Sequence, residues 1–190
     1  MKLNRIRSGA LGILLSLSAF AAMAADATAA AAAPLTTIAT LDVPRYMGTW
    51  YEIAKYPNRF QRKCVADTRA DYRLLDDGTV QVTNRCRMEG GDINEAQGVA
   101  RQVGGADSPR LEVRFAPAWL AFLPWVWGDY WVVDLDPDYS LVAISEPKRE
   151  YLWVLSRSPK VDAQRYQALL GRLLEKGFDL DRLERSRQGD

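Results

Sequence analysis

A chain of 190 residues that is 48% hydrophobic and 26% charged has enough apolar matter for one buried core and is not biased toward disorder. Its 25 lysines and arginines nearly cancel its 24 aspartates and glutamates, so the net charge of +1 offers no strong field for nucleic acid or acidic substrates. The absence of histidine excludes Ser-His-Asp and Cys-His nucleophilic sites and imidazole zinc sites, and two cysteines are too few for a thiolate metal cage.

In chain order, Lys2, Arg5 and Arg7 precede an apolar run over 10–20 and the small-x-small triplet Ala22-Met23-Ala24, which predicts a signal peptide over 1–24. The run is short beside the roughly 20 residues of a membrane span, so export is expected rather than a retained anchor helix. Residues 25–34 read as an alanine-rich flexible leader, and 35–190 as the folded domain.

From Thr49 onward, short runs rich in Val, Tyr, Trp and Thr alternate with Asp, Gly, Asn and Pro, the pattern of an antiparallel meander. Strands are expected at 50–55, 66–74, 79–86, 95–103, 111–115, 128–135, 141–145 and 151–156. Within the second, Ala66, Thr68, Ala70, Tyr72 and Leu74 share one face, while Asp67, Arg69, Asp71 and Arg73 share the other. Asp76-Asp77-Gly78 supplies positive-φ turn chemistry for the hairpin that follows. An even set of eight sequential strands can close into an up-and-down barrel, whose interior is filled by side chains or holds one small ligand. After the last strand, Asp162 can cap a helix with an apolar stripe of Tyr166, Leu169, Leu170, Leu173 and Leu174 that ends at Gly177 and packs against the outside of the barrel.

Gly48-Thr49-Trp50 after the turn-like Val43-Pro44-Arg45-Tyr46, Asp136 in Leu135-Asp136-Pro137, and Arg157 after Leu152-Trp153-Val154-Leu155-Ser156 resemble, in order and spacing, the signatures of the lipocalin family. The wording around Trp50 and Arg157 resembles the bacterial outer-membrane branch of that family, related to apolipoprotein D and to plant temperature-induced lipocalins. The second signature usually reads Thr-Asp-Tyr, and Asp136 alone is kept here; the lipid-modified cysteine of the bacterial branch is missing before Cys64. The resemblance implies an all-β, eight-stranded barrel with one helix outside it. It also implies that Trp50 closes one end with the Arg157 guanidinium on its ring, so that Gly48, Trp50, Asp136 and Arg157 are structural.

With Trp50 and Arg157 taken as inward-facing, strand alternation nominates Ala54, Ala70, Tyr72, Val82, Asn84, Gly98, Ala100, Val113, Phe115, Tyr130, Val132, Ala143, Tyr151 and Trp153 as interior. The small members leave room for an apolar ligand, and Tyr72, Asn84, Tyr130 and Tyr151 supply polar tips for a head group; ordinary core packing is the alternative. Family topology puts residues 57–65 and 116–127 at the open end. The first carries Arg59, Phe60, Arg62 and Lys63, and the second Trp119, Leu120, Phe122, Leu123, Trp125, Val126 and Trp127. Such an aromatic loop is expected to meet a membrane interface, a second copy of the chain, or the barrel rim. Cys64 and Cys86 map to the same end, so a disulfide is expected, with a free redox-active Cys64 as the alternative.

The leading expectation is non-enzymatic binding and transport or storage of fatty acids, lysophospholipids or other small apolar ligands in the bacterial envelope, in the periplasm, free or associated with the outer membrane, with no cofactor and no nucleic-acid partner. The alternatives are a lipocalin-fold enzyme using Glu52, Tyr72 or Tyr130, and a stress-protective envelope interaction protein.

Overall fold

The structure, a computed structural model, describes residues 33–189. The signal peptide expected over 1–24 and all but the last two residues of the expected leader lie outside the described residues. Eight strands, β1 (Gly48–Lys55), β2 (Cys64–Leu74), β3 (Val80–Met88), β4 (Ile93–Gln102), β5 (Arg110–Arg114), β6 (Gly128–Leu135), β7 (Leu141–Ser145) and β8 (Leu152–Ser156), pair antiparallel in sequence order. β1 then pairs with both β8 and β2, closing the barrel. A four-residue helix, α1 (Val43–Tyr46), precedes β1, and α2 (Ala163–Glu175) follows β8.

Local chemistry explains the joints. Gly78 takes φ +80° and Asp77 accepts hydrogen bonds from the Thr79 amide and hydroxyl, which makes the β2–β3 turn. Asp162 accepts from the Arg165 amide at the start of α2, and Gly177 leaves the helix at φ +81°. The regular alternation expected over 66–74 holds from Arg69 to Arg73, and Leu74, expected on the buried face, is 40% exposed at the end of the strand. Nearer the start of β2, register shifts interrupt the pairing with β3 between Cys64 and Ala66 and between Ala66 and Arg69, and Asp67 adopts φ +56°.

Apolar side chains form two layers. The inner one, inside the barrel, includes Leu41, Tyr46, Trp50, Tyr72, Val80, Val82, Leu111, Val132, Val142, Ile144 and Leu155. The outer one lies between the barrel wall and α2, where Tyr166, Leu169 and Leu173 cover Ile53, Val133, Leu141, Leu152 and Val154. Leu174 is 61% exposed, one position too far round the helix for the stripe assigned to it. Leu35 is buried in the outer layer.

The strand set omitted one element. Beyond Tyr51 and Arg69, β1 and β2 part, and residues 184–189 fill the seam. Their short strand β9 (Glu184–Arg185) pairs with Ala54 and Lys55. The Ser186 amide donates to the Ile53 carbonyl, the Asp67 amide donates to the Arg187 carbonyl, and the Gln188 amide group bridges the carbonyls of Glu52 and Thr68.

Candidate functional site

The barrel has a sealed floor. Trp50 is fully buried, donates its indole N–H to the Tyr46 carbonyl at 2.9 Å, and lies under the Arg157 guanidinium, 4.0 Å from the ring centroid. Arg157 also donates to the carbonyls of Arg45, Tyr46, Thr49 and Tyr139. Gly48 has φ +96°, and a Cβ there would meet Arg157 Nη1 at 3.2 Å, so this turn needs glycine on both counts. Asp136 accepts from the Ser140 and Leu141 amides and the Ser140 hydroxyl, and pairs with Arg165. Gly48, Trp50, Asp136 and Arg157 therefore all serve the closed end.

Going up from this floor, burial of the inward-facing side chains changes. Tyr72, Val82, Ala100, Leu111, Val132 and Ile144 are buried, as is Ala70. Nearer the other end, Asn84, Gly98, Val113, Tyr130 and Trp153 are only half-buried and Phe115 is 45% exposed. The lower half is packed core, and toward the mouth the inward positions become accessible to solvent. Gly98 matters to the shape of this upper half, because a Cβ there would meet the Arg114 carbonyl at 2.7 Å and the Phe115 ring at 2.8 Å. Tyr151 stands at the rim, stacked on Trp153 with centroids 5.7 Å apart and 5.6 Å from the Phe60 ring.

Two of the proposed interior residues are elsewhere. Ala54 and Ala143 belong to the outer layer beneath α2. A register shift between Glu52 and Ala54 turns β1 over. In β7 it is Val142 and Ile144 that point inward, which puts Ala143 outside. Neither bulge parity nor the phase of a five-residue strand buried on both faces is written in the hydrophobic pattern.

Where packed and open halves meet, three phenols join. The Tyr46 and Tyr130 hydroxyls share a hydrogen bond of 2.8 Å, and Tyr130 shares another of 3.1 Å with Tyr72. Burial drives all three hydroxyls above their ordinary pKa, Tyr72 to about 12, so they stay protonated at any ordinary pH. Sequence reasoning missed the part Tyr46 plays, since it sits in a turn-like stretch; its place four residues before Trp50 was the available cue. Glu52, two residues beyond Trp50, is buried as well. Its carboxylate accepts from Gln61 at 2.5 Å and from the Ser186 hydroxyl at 2.6 Å, and Gln61 in turn accepts from the Trp153 indole at 2.9 Å. Burial raises the Glu52 pKa, opposed by the Ser186 and Gln61 hydrogen bonds. Among the described residues no group of three His, Cys, Asp or Glu side chains is placed to hold a metal ion.

The mouth is formed by the loops after β1, β3, β5 and β7. Cys64 and Cys86 are joined there by a disulfide, which excludes the free thiol. The loop after β5 makes two short 3₁₀ turns, Ala118–Leu120 and Pro124–Val126. Trp119, Phe122 and Trp125 are 73%, 77% and 78% exposed, so these three do not fold onto the rim. Trp127 does: its indole N–H donates to the Ala121 carbonyl, and Arg101 and Arg114 lie 4.1 and 5.2 Å from its ring. It belongs with the barrel wall rather than with the exposed tip. Phe60 and Ile93 are exposed beside the same opening, and Arg59, Arg62 and Lys63 are largely exposed on the loop that carries Phe60.

A family model described as "Lipocalin-like domain" matches residues 41–188. Temperature-induced lipocalin-1 of Arabidopsis thaliana is 40% identical over 158 residues, spanning 82% of this chain and 84% of that one. Outer membrane lipoprotein Blc of Escherichia coli K12 is 35% identical over 149 residues, spanning 78% and 80%. The solved structure of insecticyanin from Manduca sexta superimposes with a TM-score of 0.64 at 16% identity, over 82% of this chain and 85% of that one, a likeness of fold.

Proposed function

This chain belongs to the lipocalin family, and from that premise we propose that it binds fatty acids, lysophospholipids or similar small apolar molecules in the open half of its barrel and carries or stores them. The observation that carries the reading is the break in burial between Ala70, Tyr72 and Val132 below and Asn84, Gly98, Val113 and Phe115 above, in a barrel that is otherwise closed. A cup walled by small residues on one side and by aromatic rings on the other suits an elongated apolar guest. Burial of about 14 methylenes at ~0.8 kcal/mol each is worth roughly 11 kcal/mol, from which association and ordering remove several, leaving affinity in the micromolar range or somewhat tighter.

Binding is favoured over turnover because the candidate catalytic groups are already engaged. Both Glu52 oxygens are hydrogen-bonded, and Tyr72 and Tyr130 are held neutral against each other. Export by the peptide over 1–24 would put this activity in the bacterial periplasm, a reading that the similarity to a bacterial outer-membrane lipoprotein supports.

The mouth fits a transfer step at a lipid surface. Trp119, Phe122, Trp125 and Phe60 present rings suited to the interfacial zone, and Arg59, Arg62 and Lys63 suit anionic head groups. A second copy docked at the mouth would bury the same rings but would block the cup. Native mass spectrometry with lipid extraction, on protein purified from its own envelope, tests the central reading. A co-purified lipid in stoichiometric amount is the expected result, and protein that is consistently empty and takes up no added lipid overturns it.

A further inference from the structure

The tyrosine cluster carries more protons than it uses. Tyr46, Tyr130 and Tyr72 bring three hydroxyl protons, and the two hydrogen bonds between them consume two. Among the described residues the three hydroxyls make no other hydrogen bond. Whichever way the chain of hydroxyls is oriented, one donor is left over. Tyr130 is bonded to both neighbours and is half-buried, whereas Tyr46 and Tyr72 are buried.

We infer that the cup takes amphiphiles whose leading end bears an uncharged oxygen, a hydroxyl, ketone or ester, which accepts the spare tyrosine proton. The inference rests on the ligand-binding reading above and adds the chemistry of the buried end. A plain alkyl terminus at this depth leaves a buried donor unmet. An anionic terminus fares worse. The half-buried or exposed inward positions Asn84, Gly98, Val113, Phe115, Tyr130 and Trp153 include no cation, and Arg157 beneath the floor already serves four carbonyls. Glu52 contributes a carboxyl group to the same interior. A carboxylate or phosphate carried down to the phenols would lose its hydration and gain no counter-charge. Such a group stays at the mouth, near Arg59, Arg62 and Lys63, whereas a neutral lipid enters oxygen first.

Binding of 1-dodecanol, dodecane and dodecanoate to wild type and to Tyr72→Phe/Tyr130→Phe tests this. The ring shapes are kept, so the interior stays filled. The double variant is expected to lose about tenfold in affinity for 1-dodecanol and to hold dodecane and dodecanoate within twofold. An unchanged affinity for 1-dodecanol overturns the inference, and so does a parallel loss for dodecanoate. If wild type binds none of the three, it is the ligand-binding reading itself that fails. A measurement on wild type alone guards against a misfolded variant. The carbonyl stretch of isotope-labelled 2-tridecanone is expected to move to lower frequency on binding, as for a hydrogen-bonded ketone, and a stretch at the value seen in alkane solvent overturns the proposal.

Discussion

Replacing Arg157 by Met tests whether the most recognisable residues of this chain hold the fold or touch the ligand. The guanidinium lies 4.0 Å from the Trp50 ring centroid and donates to four carbonyls that join α1, the start of β1 and the loop before β7. Methionine keeps the length of the stem and its contact with the ring but removes every donor. The cation–π contact is worth about 1 kcal/mol at a partly exposed site. The part-buried carbonyls of Thr49 and Tyr139 are left without their Arg157 donor, at roughly 1 kcal/mol each, while the Tyr46 carbonyl keeps the Trp50 indole. The expected loss is about 3 kcal/mol, a fall in Tm of about 6–12 °C for a domain of this size. Thermal unfolding followed by near-ultraviolet circular dichroism reads the stability, and lipid titration below the transition reads the cup. A Tm within about 2 °C of wild type refutes the energetic argument; a folded variant with lipid affinity reduced tenfold refutes the placement of Arg157 outside the ligand site.

Other consequences follow from the mouth and the wall. Changing Trp119, Phe122 and Trp125 together to Ser is expected to cut co-sedimentation with anionic vesicles by about tenfold or more without changing the Tm; unchanged sedimentation by the folded variant, or a change of mass from dimer to monomer, removes the membrane reading. Because burial raises the folded-state pKa of Glu52 above its unfolded value, its contribution to stability is present at acid pH and is lost as pH rises through the raised value. Glu52→Gln should therefore gain on wild type over that interval, by at most about 1.4 kcal/mol per pH unit, and level off above it. Urea unfolding from pH 4 to 8 checks this, and a difference that does not vary with pH contradicts it. Replacing Cys64 and Cys86 by Ser releases a 22-residue loop and is expected to lower stability by about 3 kcal/mol, while a Tm equal to that of the oxidised protein shows that the crosslink constrains little.

Much of the barrel was legible because period-two alternation and Asp-Gly turns are local signals, and because the short stretches around Trp50 and Arg157 each carry a recognisable family wording. The bounds of β6 and β7 follow from them directly, and those of the other strands to within two residues. What escaped was set by contacts distant in sequence. The bulge that turns Ala54 outward depends on β8, whose partners lie about 100 residues away. Trp127 reads as one more ring in an aromatic loop until Arg101 and Arg114 are seen beneath it. The phenol cluster needs α1, β2 and β6 at once, and no spacing among Tyr46, Tyr72 and Tyr130 announces it. Residues 184–189 carry no strand signature because two paired residues and a few side-chain bonds hold them in place.

That last segment makes the circumference of the wall unequal along its axis. At the Trp50 end, β1 bonds directly to β2 and eight strands complete the ring; toward the mouth, residues 184–189 come between them, β9 pairing with β1 and a few isolated hydrogen bonds reaching β2. Since the diameter of a closed sheet grows with its strand number, the barrel is a funnel rather than a cylinder. It is narrow where Trp50 and Tyr46 fill it and wider where Phe115, Gly98 and Asn84 leave it open. The chain thus obtains a full core below and a more accessible interior above from one sheet by adding a ninth partial stave to the upper half.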